Sequence, residues 1–437
     1  MSRRQLIGAG VALGAGATLP KWTWAATNSI AGVGGIPTPP WDVWDEQADS
    51  VIAAVIERGE LGKVNALLRQ WTQNGEALPD GLPNDLREFM EDARKLPEWT
   101  DTGLLQQAVD FSKRRGIYLG VAYGFVSGMM SSAIPHEAKA VYYSKGGADM
   151  KDRISKTAKL GYDIGNERAY LSPYGEMIVT CVKTRMAHAG VRYWLPKSAS
   201  WKAVADEASG PWGGPPIPIS QRDVLVTWHS LPTSVMRSFK KWGVKMPQRD
   251  SDAFLHSWQV CAHLLGVNDE YIPATWAAAE TQAQQILDPV FGSTPEGQEL
   301  ARILTHLAAE VDGGYISVPL LESLTRTFLS PQICEMLAVR RHKGQDELMK
   351  AAWPIFVQVQ EGSLWFAPRE AKKFWNFFAE ILRQGALFYL GEGKRLMIEI
   401  PDMNRPDVPD AIVDPPEPYT LPSASGPTPA PPSPAYP

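Results

Sequence analysis

Residues 174–195 read YGEMIVTCVKTRMAHAGVRYWL. Their apolar residues recur at spacings of three and four, the period of a helix with one apolar face. The same period returns in DEQADSVIAAVIERGE (45–60), PNDLREFMEDARKL (83–96) and DTGLLQQAVDFSKRRGIYLGVAYGFVSGMM (101–130). It continues through RDVLVTWHSLPTSVMRSFKKWG (222–243), DAFLHSWQVCAHLLGV (252–267), PEGQELARILTHLAAEV (295–311), VPLLESLTRTFLSPQICEML (318–337) and PREAKKFWNFFAEILRQGALFYLG (368–391). From about Pro40 to Pro401 the pattern is therefore helical almost throughout. No run of alternating strands and no G-x-G-x-x-G motif is present, which argues against a nucleotide-binding fold. The reading is an all-α protein built as a single large helical domain.

Helix start signals agree with this reading. Ser293-Thr294-Pro295-Glu296 predicts a capping box with an early proline, and Pro79, Pro319 and Pro368 mark further starts. The Gly/Pro loop at 209–221, SGPWGGPPIPISQ, interrupts the helices. From Pro401 onward PPEPYTLPSASGPTPAPPSPAYP has no core-forming pattern and reads as an extended or disordered tail. The division is 1–26, 27–400 and 401–437.

Composition narrows the function. The chain is 44% hydrophobic and holds 16 tryptophans, so large buried rings should be common. The formal charge is −5; the first 26 residues contribute +3 through Arg3, Arg4 and Lys21, which leaves −8 for the body. A mildly acidic body argues against a nucleic-acid partner, which calls for a basic footprint. The N-terminus, MSRRQLIGAGVALGAGATLPKWTWAATNS, places twin arginines before a Gly/Ala-rich apolar run. That run is too short and too weakly apolar to span a membrane. It fits a twin-arginine export signal cleaved near Ala25 or Ala26, so a secreted protein is expected. Cys181, Cys261 and Cys334 are too few for a disulfide framework and read as buried thiols. No C-x-x-C-H occurs, which excludes covalent c-type haem.

Seven histidines carry the possible metal chemistry, without a zincin or di-iron motif. His256 and His263 share a helix face and read as core histidines. His306 and Glu310 read as a surface i, i+4 pair. His188 is different. Ala187, Ala189 and Gly190 leave it almost no neighbouring bulk, and Arg185 and Arg192 flank it by one turn. A planar cofactor needs such a flat approach, a neutral imidazole can ligate haem iron, and haem propionates call for nearby cations. The same pattern also describes a hydrogen-bonded core histidine between two surface arginines. Residues 152–157, DRISKT, set Arg153, Lys156 and Thr157 on one helix flank. By periodicity alone that flank is an ordinary solvated surface.

These residues together resemble a family. Arg153-x-x-Lys156-Thr157, followed 31 residues after Thr157 by His188 in RMAHAGVR, looks like the latex clearing proteins. Those are bacterial rubber oxygenases within a wider haem-binding helical family. Glu137, 16 residues before Arg153, falls where the family places a catalytic glutamate. FLHSWQVCAHLLG at 254–266 resembles its shared helix, and the likeness covers roughly residues 40–400.

The resemblance implies a fold that is globin-like in enclosing a haem between helices. It implies non-covalent haem b with His188 as proximal iron ligand and Lys156 as distal ligand in a closed, substrate-free state. Arg153 and Thr157 would shape the distal pocket, and Glu137 would be the acid/base or orienting group near the reacting double bond. The activity implied is cleavage of poly(cis-1,4-isoprene) inside the chain with dioxygen, giving oligo-isoprenoids with aldehyde and ketone ends. A monomer without an integral membrane span is expected. A haem oxygenase acting on another hydrophobic alkene or lipid, or an exported haem- or lipid-binding protein without turnover, are the competing readings. A carboxylate beside an apolar hydrocarbon channel should have a raised pKa.

Overall fold

The computed structural model describes residues 28–32, 38–40, 43–144, 150–166, 169–199, 201, 218–311, 316–366 and 395–404. Residues 1–26, expected to be an export signal, most of the Gly/Pro loop, the segment begun by Pro368 and residues 405–437 lie outside them. Among the described residues there is no strand, only two isolated bridges.

The helices are α1 (Glu46–Glu57), α2 (Leu61–Leu68), α3 (Asn84–Ala93), α4 (Thr102–Val121), α5 (Met129–Ser132), α6 (Pro135–Tyr143), α7 (Met150–Asp163) and α8 (Met177–Trp194). They continue as α9 (Gln221–Trp228), α10 (Ser234–Trp242), α11 (Gln248–Leu264), α12 (Trp276–Ile286), α13 (Pro295–Val311), α14 (Val318–Phe328), α15 (Pro331–Met336) and α16 (Lys343–Phe366). Two stretches widen instead into π-helical turns, at Ala122–Gly128 and His229–Thr233. The second contains Pro232, whose missing N–H removes a helical donor. Single π-turns inserted into α-helices recur at functional sites.

Side chains start these helices where the unpaired N–H groups need them. Asp45 accepts from Ala48 N and Asp101 from Leu104 N. Ser220 and Asp223 form a complete capping box at the start of α9. The box expected at Ser293 is shifted by one residue. Thr294 Oγ1 accepts from Gly297 N, Ser293 donates to Met336 O, and Glu296 accepts from Tyr143 instead of returning to the cap. Pro319 opens α14 as read, but Pro79 lies in the loop before α3, whose cap position is Pro83.

The middle of the domain is α4 against α11. Phe111 of α4 meets Phe254 of α11 at 5.3 Å and Phe239 of α10 at 6.4 Å between ring centroids. Arg115 and Glu361 tie α4 to α16 by a buried pair at 2.6 Å. Trp242, Phe328 and Trp353 hold α10, α14 and α16 together, with centroids 4.7 to 4.9 Å apart. Trp71, Trp201 and Trp258 are fully buried. No single helix among the described residues is long and apolar enough to cross a membrane.

The chain is packed past Pro401. Residues 395–404 lie across the domain as an extended strap. Asn65 exchanges two hydrogen bonds with Ile400, Trp194 Nε1 donates to Pro401 O, and Asn404 donates to Trp194 O. Gly190 of α8 makes this possible. A Cβ there would sit 2.7 Å from Pro401 Cδ and 2.8 Å from Ile400 Cγ2.

Candidate functional site

Glu137 sits in the first turn of α6, just after Pro135 at the helix start. Across from it, α9 presents Thr227, whose Oγ1 donates to Glu137 Oε1 at 2.7 Å. Glu137 is half-buried. Burial pushes its pKa to about 8, against the opposing hydrogen bond from Thr227. That is the direction expected for a carboxyl beside an apolar channel. Such a group is largely protonated at neutral pH and poised to exchange a proton.

One turn back on α9, Asp223 faces His136. His136 Nδ1 lies 3.2 Å from Asp223 Oδ1. Burial opposes the imidazolium, but the Asp223 carboxylate outweighs it and raises the His136 pKa. Burial also opposes the Asp223 carboxylate; His136, Arg222 and the Ser220 N–H outweigh it and hold its pKa well below the usual carboxylate range. Ser131 Oγ and Ser230 Oγ, 3.3 Å apart, join α5 to the second π-turn beside this cluster.

His188 lies mid-way along α8, half-buried, between buried Met186 and Ala189, and its Nδ1 is buried. Three residues further along α8, Val191 packs in one apolar cluster with Ala138, Ala140 and Tyr142 of α6. The histidine helix and the Glu137 helix therefore contribute to the same apolar cluster. Arg185 and Arg192 are committed elsewhere. Arg185 is paired with Asp45 at 2.5 Å and Arg192 with Asp49 at 2.7 Å, both at the start of α1. Arg192 also donates to Ile219 O. These pairs tie α8 to α1, because buried guanidinium groups need partners and α1 supplies two aspartates.

Lys156 reaches the level of His188 through the geometry of a hairpin. Thr180 Oγ1 donates to Asp163 Oδ2 at 2.6 Å, and Lys159 bonds both Asp163 and Glu176 at 2.7 and 2.6 Å. These contacts join the end of α7 to the start of α8, and both helices run away from that shared end in contact. At 1.5 Å rise per residue, Lys156 is about 10 Å back along α7 and His188 about 12 Å forward along α8. Lys156 is half-buried and Thr157 exposed. The side chain of Arg153 lies outside the described residues.

Three further histidines have packing or hydrogen-bonding partners. His256 Nε2 accepts from Asp101 N at 2.8 Å, and His263 Nδ1 lies 2.7 Å from Asp269. Both rings pack edge-on against Trp99. His229 is buried between Thr233 and Gln282, and burial lowers its pKa to about 3. Cys181, Cys261 and Cys334 are buried thiols, with the first two sulfurs 4.0 Å apart. No cluster of three or more His, Cys, Asp or Glu able to hold a metal ion lies among the described residues.

Sequence reasoning missed Thr227, Asp223 and the role of His136. Nothing along the chain says that α9 lies against α6. Tyr123, in the first π-turn, was missed too; its ring stands 3.4 Å from the site of a Cβ on Gly161, which keeps α7 close to that turn.

Comparison with known proteins agrees with this architecture. Residues 114–361 match the family model described as "ER-bound oxygenase mpaB/B'/Rubber oxygenase, catalytic domain". The chain is 51% identical over 414 residues to the protein named "Rubber oxygenase" from Streptomyces sp. (strain K30), covering 93% of this chain and 99% of that one. It is similar to the solved structure titled "Structure of Latex Clearing Protein LCP in the closed state", with TM-score 0.77 and 52% identity over 87% of this chain and all of that one.

Proposed function

The chain belongs to the mpaB/B'/rubber oxygenase catalytic-domain family, and we propose that it cleaves poly(cis-1,4-isoprene) within the polymer, using dioxygen at a non-covalent haem b. The observation that carries this reading is Glu137: a carboxyl held by Thr227 at 2.7 Å, with burial pushing its pKa up to about 8, on a helix that shares an apolar cluster with the His188 helix.

The residues fit a haem. His188 offers an imidazole from mid-helix, with only small side chains on either side of it along α8. His188 would be the proximal ligand, and Lys156, level with it across the hairpin, the displaceable distal one. When bound, the haem would supply the dioxygen chemistry. The protein's part is to hold the alkene beside that group and to exclude water.

Glu137 would manage the proton. Thr227 fixes Oε1 as a hydrogen-bond acceptor, so Oε2 is the oxygen that would take a proton from an allylic carbon. Burial matches its proton affinity to neutral pH, where an acid/base group works best. Arg153 and Thr157, on the same flank as Lys156, would border the distal side. The products would be oligo-isoprenoids with one aldehyde and one ketone end. Residues 1–26 would export the folded protein to a substrate that cannot enter a cell.

The test is an absorption spectrum of the purified protein, then dioxygen uptake on polyisoprene latex with detection of carbonyl-ended products. A haem spectrum and uptake are expected, with Glu137→Gln keeping the spectrum and slowing uptake. Bound haem without uptake would refute the oxygenase reading for this substrate. A colourless protein from iron-replete cells would refute the cofactor.

A further inference from the structure

We propose that Asp223 is a positioning residue for Glu137: by holding the His136 ring it fixes the first turn of α6, from which Glu137 projects toward the substrate. The proposal rests on the reading of Glu137 as the proton-handling group.

The geometry is a two-point clamp. Asp223 and Thr227 lie four residues apart on α9 and therefore share one face. Opposite them, His136 and Glu137 are consecutive on α6 and project about 100° apart around its axis. One contact between two helices leaves rotation about the axis unconstrained. Two contacts, Asp223 with His136 and Thr227 with Glu137, remove it. Asp223 is itself immobilised, because the Ser220 N–H and hydroxyl both donate to its Oδ2, at 2.9 and 3.0 Å. The fully buried ring of Trp201, 5.5 Å from the His136 ring, closes another side. None of these groups has a part in the chemistry itself.

The charges around Glu137 are mixed. From α9 come Asp223, which favours a protonated Glu137, and Arg222, which opposes it; from α6 itself comes His136, which also opposes it. Lys139 lies further along α6. From α13, packed against α6, Glu296 reaches Tyr143 at the far end of the helix. Removing Asp223 leaves Glu137 facing Arg222, whether or not His136 keeps its proton, so the carboxyl ionises at lower pH. Removing His136 alone takes away one group that opposes a protonated Glu137 and leaves the Asp223 carboxylate, so the Glu137 carboxyl ionises at higher pH.

The experiment is dioxygen uptake on latex against pH by purified holoenzyme, with the absorption spectrum as control. Wild type should gain activity through a limb near pH 8. Asp223→Asn should move that limb down and His136→Gln should move it up, each by about one pH unit. Asp223→Glu should return the limb toward wild type. A purely structural role would lower the rate in both variants and leave the limb in place, and that result would overturn the proposal. His136→Gln leaves the Ser220–Asp223 cap intact and carries the test if Asp223→Asn does not fold. Wild-type uptake by Glu137→Gln would overturn the catalytic reading and this proposal with it. A slowed Glu137→Gln beside unmoved limbs would overturn this proposal alone.

Discussion

Glu137→Gln should stabilise the protein, and the gain should depend on pH. The carboxyl titrates at about 8 in the folded chain against 4.5 for its ordinary value. Between those values the unfolded chain has released the proton and the folded chain has kept it. The folded state then binds more protons, so stability falls as pH rises from about 4.5 and the loss is complete above about 8. At about 1.4 kcal/mol per unit, the shift corresponds to about 4 to 5 kcal/mol at the alkaline end and almost nothing at pH 4.5. Local relaxation and water entry reduce the observable cost to about 2 to 3 kcal/mol. Glutamine has nearly the same shape, offers an oxygen to Thr227, and does not titrate. Urea unfolding of both proteins at pH 5 and pH 8.5 reads the difference directly. The variant should gain about 2 kcal/mol more over wild type at pH 8.5 than at pH 5. An equal difference at both pH values would refute the argument that burial raises this carboxyl. Glu137 would then be a stabilised residue and not one held at a cost to the fold.

Four other substitutions separate structure from function. Arg185→Met leaves Asp45 buried without its partner and should cost about 3 kcal/mol in urea unfolding. It should leave the cofactor absorbance of the folded fraction unchanged; lost absorbance at unchanged stability would return Arg185 to the cofactor. Gly190→Ala drives a methyl into Ile400 and Pro401 and should cost about 1 to 3 kcal/mol, with the strap at 395–404 becoming cleavable in limited proteolysis. His188→Ala should abolish the haem spectrum with helical circular dichroism retained, whereas Lys156→Ala should keep the haem and change the substrate-free spectrum; an unchanged spectrum in either would remove that residue as a ligand.

Much of the fold was legible because a helix is a local object. The period of three and four in 174–195 marked α8, and the same period marked α1, α4, α11 and α13. His256 was legible as a core histidine, since apolar residues surround it within its own helix, whereas His263, expected to be one too, stays partly exposed beside Asp269. The three cysteines were legible as buried thiols for the same reason. Helix starts were harder. Thr294 and Ser293 are equally good caps by type, and only the position of Met336 and Tyr143 decides which one turns inward.

The candidate site divides along the same line. The sequence by itself determined the helices, the residues available for chemistry and their order: Glu137, then Arg153, Lys156 and Thr157, then His188. Only the tertiary structure decided which neighbours those residues have. Glu137 and Thr227 are 90 residues apart in sequence and 2.7 Å apart in space. Arg185 and Arg192 look like pocket cations along the chain but are taken by Asp45 and Asp49, some 140 residues away. The physical reason is range. Backbone hydrogen bonds and side-chain periodicity act within a turn or two, so sequence alone displays them. Desolvation and charge pairing act between whichever helices the core brings together, and they set the protonation state of Glu137.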